Sequence, residues 1–239
     1  MDAAADYLAP IRDASGPAAL LRGAATPGGA RMLMTLARSL PVERASFSSE
    51  PEGDALRGWF RPDRRLPVDR APVALLALPA TYPAYLQGRS RQAVRTNLTR
   101  AAGAGLKALV VDSQGELEQA AEHIAGQRGT TASALAPAHL CGNSRRQFHV
   151  AYDDQGVPIG MSQTLVDGTW AGLASLVTSH GHPHAQTARY LLHSQVVEGL
   201  IDREVSRLVV GGSILLATSG TRYFQRRTGY RPVRLHVSR

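Results

Sequence analysis

Cysteine is almost missing from this chain of 239 residues: Cys141 stands alone. A single thiol excludes an internal disulfide framework and a zinc cluster built on cysteines. Lysine is just as scarce, since Lys107 is the one lysine and the other basic residues are all arginines. Long apolar runs are absent too. Stretches such as Val73–Leu78 and Leu208–Val210 are far too short to cross a bilayer, so no membrane insertion is expected. Residues 1–25 hold Asp2, Asp6 and Asp13 and no continuous apolar core. That is not the pattern of a signal peptide, and the expected setting is the cytoplasm. No Gly-x-Ser-x-Gly elbow, His-Glu-x-x-His pair or Walker loop occurs, which leaves hydrolase, zinc-protease and NTPase chemistry without a basis.

What is present describes a folded protein. Hydrophobic residues make up 44% and charged residues 19%, enough apolar surface for a proper core and too little charge for a disordered chain. The formal net charge is +8. Arginine keeps its charge at any working pH and grips phosphate with a two-pronged fork. This balance suits a polyanionic partner such as tRNA, or a phosphate-bearing cofactor. A diffuse solvated surface in an arginine-rich genome would give the same count, so charge alone decides nothing.

The elements sharpen along the chain. Residues 1 to about 30 are rich in Ala, Gly, Pro and Asp, and Arg31–Leu40 has helical spacing. Ser48–Arg70 reads as loop, with Leu56–Phe60 a candidate short strand. From there the pattern predicts a strand over Val73–Leu78, a basic helix from Tyr85 to Ala104, a strand over Leu106–Val111 and a helix capped by Ser113. Phe148–Tyr152 and Pro158–Val166 flank Asp153-Asp154-Gln155-Gly156 as a hairpin, and the Asp167-Gly168 turn leads into a strand over Trp170–Thr178. A long helix follows over Ala185–Arg203, then a strand Arg207–Val210, a short helix Thr221–Arg227 and a last strand Arg231–Val237. The expected fold class is α/β: a mixed sheet with helices packed on it.

Two stretches carry a resemblance. Tyr85 through Leu106 contains Arg89, Arg91, Arg95-Thr96-Asn97-Leu98-Thr99-Arg100-Ala101 and Gly105. Ala188-Arg189-Tyr190-Leu191-Leu192-His193-Ser194 leads to Val210-Gly211-Gly212, and Gly220–Tyr230 closes with an aromatic-bearing helix. In order and spacing these resemble the GNAT superfamily of acyltransferases, in its Fem-like branch, over residues 73–237. The resemblance implies a GNAT-like fold with a reduced, irregular N-terminal region. Residues 1–72 would contribute, with 73–147, a partial first GNAT-like unit, and residues 73–239 would form the acyltransferase region. Where the Fem-like family often has Phe-Lys in the closing helix, this chain has Phe224-Gln225, followed by Arg226 and Arg227.

Acyl transfer to an amine needs a held donor, a group that polarises the carbonyl and a route for the proton. CoA-dependent GNAT enzymes hold the pyrophosphate on a Gly-x-Gly loop before a helix. The matching stretch here, Thr178–Arg189, has Gly181 but no Gly-x-Gly, which counts against acetyl-CoA without excluding CoA. His180, His182 and His184 alternate along it; an extended backbone would place them on one side, for a substrate or phosphate contact. No carboxylate or cysteine completes a metal site, and no metal is expected. Arg91 and Arg95 lie one turn apart at the edge of an apolar stripe, placed to point into a cleft or to cover core atoms from a solvated face. Arg189, early in the long helix, is placed to meet an anionic group or to remain an exposed cation. The resemblance puts Tyr223 and Phe224 beside the leaving group, with Tyr223 or Arg226 assisting at the carbonyl; a core role serves either aromatic equally well.

These readings converge on an N-acyltransferase that forms an amide on a small-molecule or peptide amine. No tightly bound cofactor is expected, and the donor is aminoacyl-tRNA in preference to acyl-CoA. Two alternatives remain open here: an acyl-CoA-dependent GNAT N-acetyltransferase, and a catalytically silent GNAT-fold module that binds RNA or protein.

Overall fold

The computed structural model describes residues 38–60, 72–135, 145–210 and 217–238, with scattered positions between 26 and 35. Cys141, Gly211-Gly212 and half of Arg31–Leu40 lie outside the described residues. Among the described residues eight strands form one sheet: β1 (Val42–Ala45), β2 (Pro72–Ala77), β3 (Lys107–Val110), β4 (Arg146–Tyr152), β5 (Pro158–Asp167), β6 (Trp170–Thr178), β7 (Arg207–Val210) and β8 (Arg231–Val237). Their spatial order is β1-β8-β2-β7-β6-β5-β4-β3. The pairs β1/β8 and β6/β7 are parallel, and the other neighbours run antiparallel. The mixed α/β sheet expected from the sequence is therefore present, and it is continuous through the β5–β6 hairpin.

The helices of the described residues that cover the two faces are α1 (Pro51–Phe60), α2 (Tyr82–Tyr85), α3 (Gln92–Gly103), α4 (Gln114–Arg128), α5 (Ala132–Leu135), α6 (Ala185–Ile201) and α7 (Ser219–Thr228). On one face Leu192, Val196 and Leu200 of α6 cover Ala151, Ile159, Val166, Ala171 and Leu208, joined by Val94 of α3 and Phe224 of α7. On the other face Leu56 and Phe60 of α1 sit over Val73, Leu75 and Leu165, while Leu117 and Ile124 of α4 cover Phe148, Val150 and Met161. Full burial of each such aliphatic side chain stabilises the fold by roughly 1.5–3 kcal/mol.

Local chemistry explains the element ends. The Ser113 hydroxyl accepts from the Glu116 amide at 3.5 Å, and Gly129, at φ 64°, closes α4. Thr218 caps α7 in the same manner, and Gly229, at φ 91°, ends it.

Two expectations needed correction. Leu56–Phe60 is the end of helix α1 rather than a strand. Pro51 opens this helix with its φ already set, and Glu52 and Asp54 favour its N-terminal turn. Leu56 and Phe60, one turn apart, then face the sheet. The single helix expected over Tyr85–Ala104 is also interrupted. Gly88 adopts φ 86°, so the chain makes α2, a 3₁₀ turn at Arg89–Arg91, and only then α3.

Candidate active site

The site begins with an irregularity in β6. Residues Trp170–Leu173 pair with β7 on one side and with β5 on the other. The β5 register then jumps from Thr164↔Leu173 to Gln163↔Ser175, which makes Ala174 the extra residue of a bulge. Past it, Ser175–Thr178 pair only with β5, and among the described residues nothing pairs with their other edge. Among the described residues the parallel pairing of β6 with β7 ends at Leu173↔Val210, while β6 runs on to Thr178. Helix α6 starts just beyond that end, after the turn at 180–184.

Two arginines flank the tip of β6. Arg128, from the end of α4 on the opposite face, donates to the Thr178 carbonyl at 2.7 Å. Arg189, in the second turn of α6, lies over the Phe224 ring at 4.3 Å, and its buried Nε has no hydrogen-bond partner among the described residues. Burial lowers the Arg189 pKa, and the nearby Arg128 lowers it further, against an opposing effect of Tyr190.

Beside Arg189 lies a set of aromatic and polar side chains from α2, α6 and α7. Tyr190 packs edge-on against Phe224 at 5.0 Å, and the Tyr82 hydroxyl is hydrogen-bonded to Ser194. His193 is fully buried beside Tyr85, Phe224 and Tyr230. Burial, then Arg91 and Arg189, push the His193 pKa down to about 3, so the ring is neutral. Burial likewise raises the Tyr85 phenol far above the ordinary range.

The structure gathers some of the sequence candidates and separates others. Arg91 packs over the Tyr85 ring at 5.0 Å and belongs to the same cluster as Arg189 and Phe224. Tyr223 is 53% exposed, with the Arg227 guanidinium 5.1 Å from its ring centre. Arg226 is exposed on the same helix. Phe224 is buried and serves as packing beneath Arg189. Arg95 points away from this cluster. Its guanidinium donates to the carbonyls of Leu86 and Gly88, clipping the turn before α3.

The three histidines do not share one side of an extended strand, because Gly181, at φ 78°, bends the segment. The His182 and His184 rings lie 5.8 Å apart, tilted at 55° to each other, His182 lies 3.7 Å from the Asp153 carboxylate, and His180 is exposed. Among the described residues no three metal-ligating side chains come together.

Sequence reasoning missed Arg128, Tyr82, Tyr85 and His193 as neighbours of this site. A signal was available for His193, one helical turn after Arg189 and therefore on the same helix face.

No family model and no curated protein sequence matches the chain. Solved structures do. FemX superposes on 68% of this chain and 59% of its own, at 9% identity and a TM-score of 0.54. A conserved protein of unknown function from Bacteroides thetaiotaomicron covers 69% of this chain and 57% of its own, at 9% identity and a TM-score of 0.51. The fold is Fem-like, of the GNAT type. L-PGS from Bacillus licheniformis superposes more loosely, over 69% of this chain and 58% of its own, at 13% identity and a TM-score of 0.48. The chain spans less than two thirds of each of these structures. No described helix is long and apolar enough to cross a membrane.

Proposed function

We propose that the chain is an N-acyltransferase that joins an activated acyl group to the amine of a small-molecule or peptide acceptor. The observation that carries this reading is the pair Arg128 and Arg189 at the far end of β6, beside the start of α6, in a Fem-like fold. The amine nitrogen attacks the acyl carbonyl and the bond from carbonyl carbon to carrier oxygen breaks. The amide forms, the nitrogen loses a proton and the carrier hydroxyl gains one. Arg226 stabilises the negative charge that develops on the carbonyl oxygen, and Tyr223 protonates the departing oxygen. Arg91 and Arg189 hold anionic groups, with Arg95 fixing the turn that presents Arg91. His180 and His182 meet the substrate beside the start of α6.

Aminoacyl-tRNA is the favoured donor. Its support is the arginine-dominated charge of +8 and the absence of a Gly-x-Gly cradle before α6. One observation favours an acyl-CoA donor as second reading. The edge of Ser175–Thr178 that no described strand pairs with fits an extended, amide-bearing arm that adds to the sheet as a strand would; in that case the departing atom is sulfur.

The test is a coupled aminoacylation assay with and without RNase. Product that disappears with RNase fits the tRNA donor. Product that survives RNase and requires acyl-CoA replaces it with the second reading, and absence of any amide product with either donor overturns acyl transfer.

A further inference from the structure

Two long stretches of the chain, residues 71–111 and 205–239, contain no aspartate or glutamate. The fold brings them together. Helices α3 and α7 lie on the same face of the sheet as α6, and Val94 of α3 and Phe224 of α7 belong to one apolar cluster. The 3₁₀ turn Arg89–Arg91 is seated on the end of α7. A Cβ at Gly229 would fall 1.9 Å from the Arg91 guanidinium, and the Tyr85 hydroxyl donates to the Thr228 carbonyl at 3.3 Å. The outward sides of these elements carry Arg89, Arg95 and Arg100, before and along α3, and Arg226 and Arg227 on α7, all exposed. None of the five forms an ion pair among the described residues. Carboxylates border this surface at two places. Glu198 of α6 lies near Tyr82 and accepts from Gln195, and Asp154 meets Gly105 past the end of α3. Like charges gathered on one surface favour a partner with a row of negative charges, which sheds its own counterions on binding.

The shape of the surface narrows the class of partner. A groove of about 590 Å³ at the turn before α3 is lined by Pro83, Leu86, Gln87, Arg89, Gln92 and Arg95. Arg95 donates to the Leu86 and Gly88 carbonyls through Nη1 alone, which fixes the groove wall and leaves Nη2 for an anion. A nucleotide matches this lining part by part. Its base covers the carbons of Pro83 and Leu86, the two glutamine amides meet the base edge, and the guanidinium groups meet phosphate. Paired RNA keeps its bases stacked inside the helix, and a lipid headgroup has no ring to seat, so neither would use the groove.

We propose that the surface formed by the α2–α3 turn, α3 and α7 binds a single strand of RNA, with one unstacked nucleotide in the groove. Arg89, Arg95, Arg100 and Arg227 meet its phosphates. The role of that strand, as the unpaired end carrying the acyl ester, rests on the acyl-transfer reading; its binding does not. A strand lying here reaches along α7 toward Tyr223 and Arg226, the two side chains assigned to the reacting carbonyl.

Fluorescence anisotropy of the full chain with a labelled, unstructured oligoribonucleotide of about 12 nucleotides tests this. Four phosphate contacts on a single strand give a slope of about −3 in log K against log salt concentration. Arg89→Ala and Arg100→Ala should each reduce that slope by about 0.7 and weaken binding about five-fold near 0.1 M salt. Arg145→Ala, which removes a cation paired with Glu50 just before α1 on the other face, should change neither. Duplex RNA of the same length, sodium polyphosphate and phosphatidylglycerol vesicles should each bind at least ten-fold more weakly than the single strand. No binding of the single strand, equal binding of any of these three, or arginine variants that bind like wild type overturn the proposal. Binding that follows the expected pattern, with no amide formed from either donor, leaves the RNA surface standing and removes the acyl-transfer reading. Amide formation from acyl-CoA by a protein that binds no RNA does the reverse.

Discussion

Single side chains in this protein divide between those that hold the site and those that hold the sheet. Tyr223 is assigned to the first kind by the proposal alone: it is half exposed, its ring faces Arg227, and nothing in the core depends on its hydroxyl. Tyr223→Phe should therefore melt like the wild type and lose about ten- to a hundred-fold in kcat with little change in KM. Steady-state kinetics with either donor decides this, and an unchanged kcat removes Tyr223 from the chemistry. Asp167 is of the second kind. Buried at the end of β5, it accepts the Ser48 amide at 2.7 Å and the Ser48 hydroxyl at 2.6 Å, tying the segment after β1 to the β5–β6 turn. Asp167→Asn keeps the shape and loses the charge, and should cost about 1.5–3 kcal/mol in urea denaturation. An unaltered midpoint would mean that the pair contributes nothing net.

At the scale of elements, helix α1 depends on a missing side chain in the strand beneath it. A Cβ at Gly172 would fall 2.4 Å from Leu56 and 2.6 Å from Trp59, so α1 sits directly on the bare backbone of β6. Gly172→Val should displace the helix and destabilise the protein by about 1–3 kcal/mol or more, as overpacking does. The change should be visible in the near-ultraviolet signal of Trp59, and an unshifted melting temperature would contradict this account. The same contact explains why α1 escaped a reading of the sequence. Pro51, Gly53 and a row of charges have the look of loop, and the helix is stabilised by a partner more than a hundred positions away. Elements with strong local signals were legible. Ser113 before α4, the Asp153–Gly156 turn and the strands Trp170–Thr178, Arg207–Val210 and Arg231–Val237 lie where periodicity and turn chemistry put them.

The whole molecule should be sensitive to acid for a specific reason. His149 in β4 and His193 in α6 are both buried, and burial is the main force lowering their pKa values, to about 4 and about 3. In the unfolded chain each takes up a proton near pH 6.5. Below that pH the unfolded state binds more protons than the folded one, so stability falls as pH falls. For His149 the contribution is complete above pH 6.5 and is lost between 6.5 and about 4, a span worth about 3 kcal/mol. Urea midpoints at pH 7, 5.5 and 4.5 should decline accordingly, and His149→Leu should flatten part of the decline. Midpoints that stay constant over this range would show that these histidines are protonated in the fold.

The sequence by itself determined the class of fold, because hydrophobic periodicity, helix caps and glycine turns act between residues close along the chain. It also placed arginines early in α6 and before α3. Only the tertiary structure decided what each of those arginines packs against. Arg91 lies over the Tyr85 ring and Arg189 over the Phe224 ring, while Arg95, one turn from Arg91, is bound to the carbonyls of Leu86 and Gly88. It likewise decided where β6 bulges, since the extra residue Ala174 exists only as a mismatch between β6 and β5. Register between strands and convergence of distant helices depend on packing over long separations, and no local pattern encodes them.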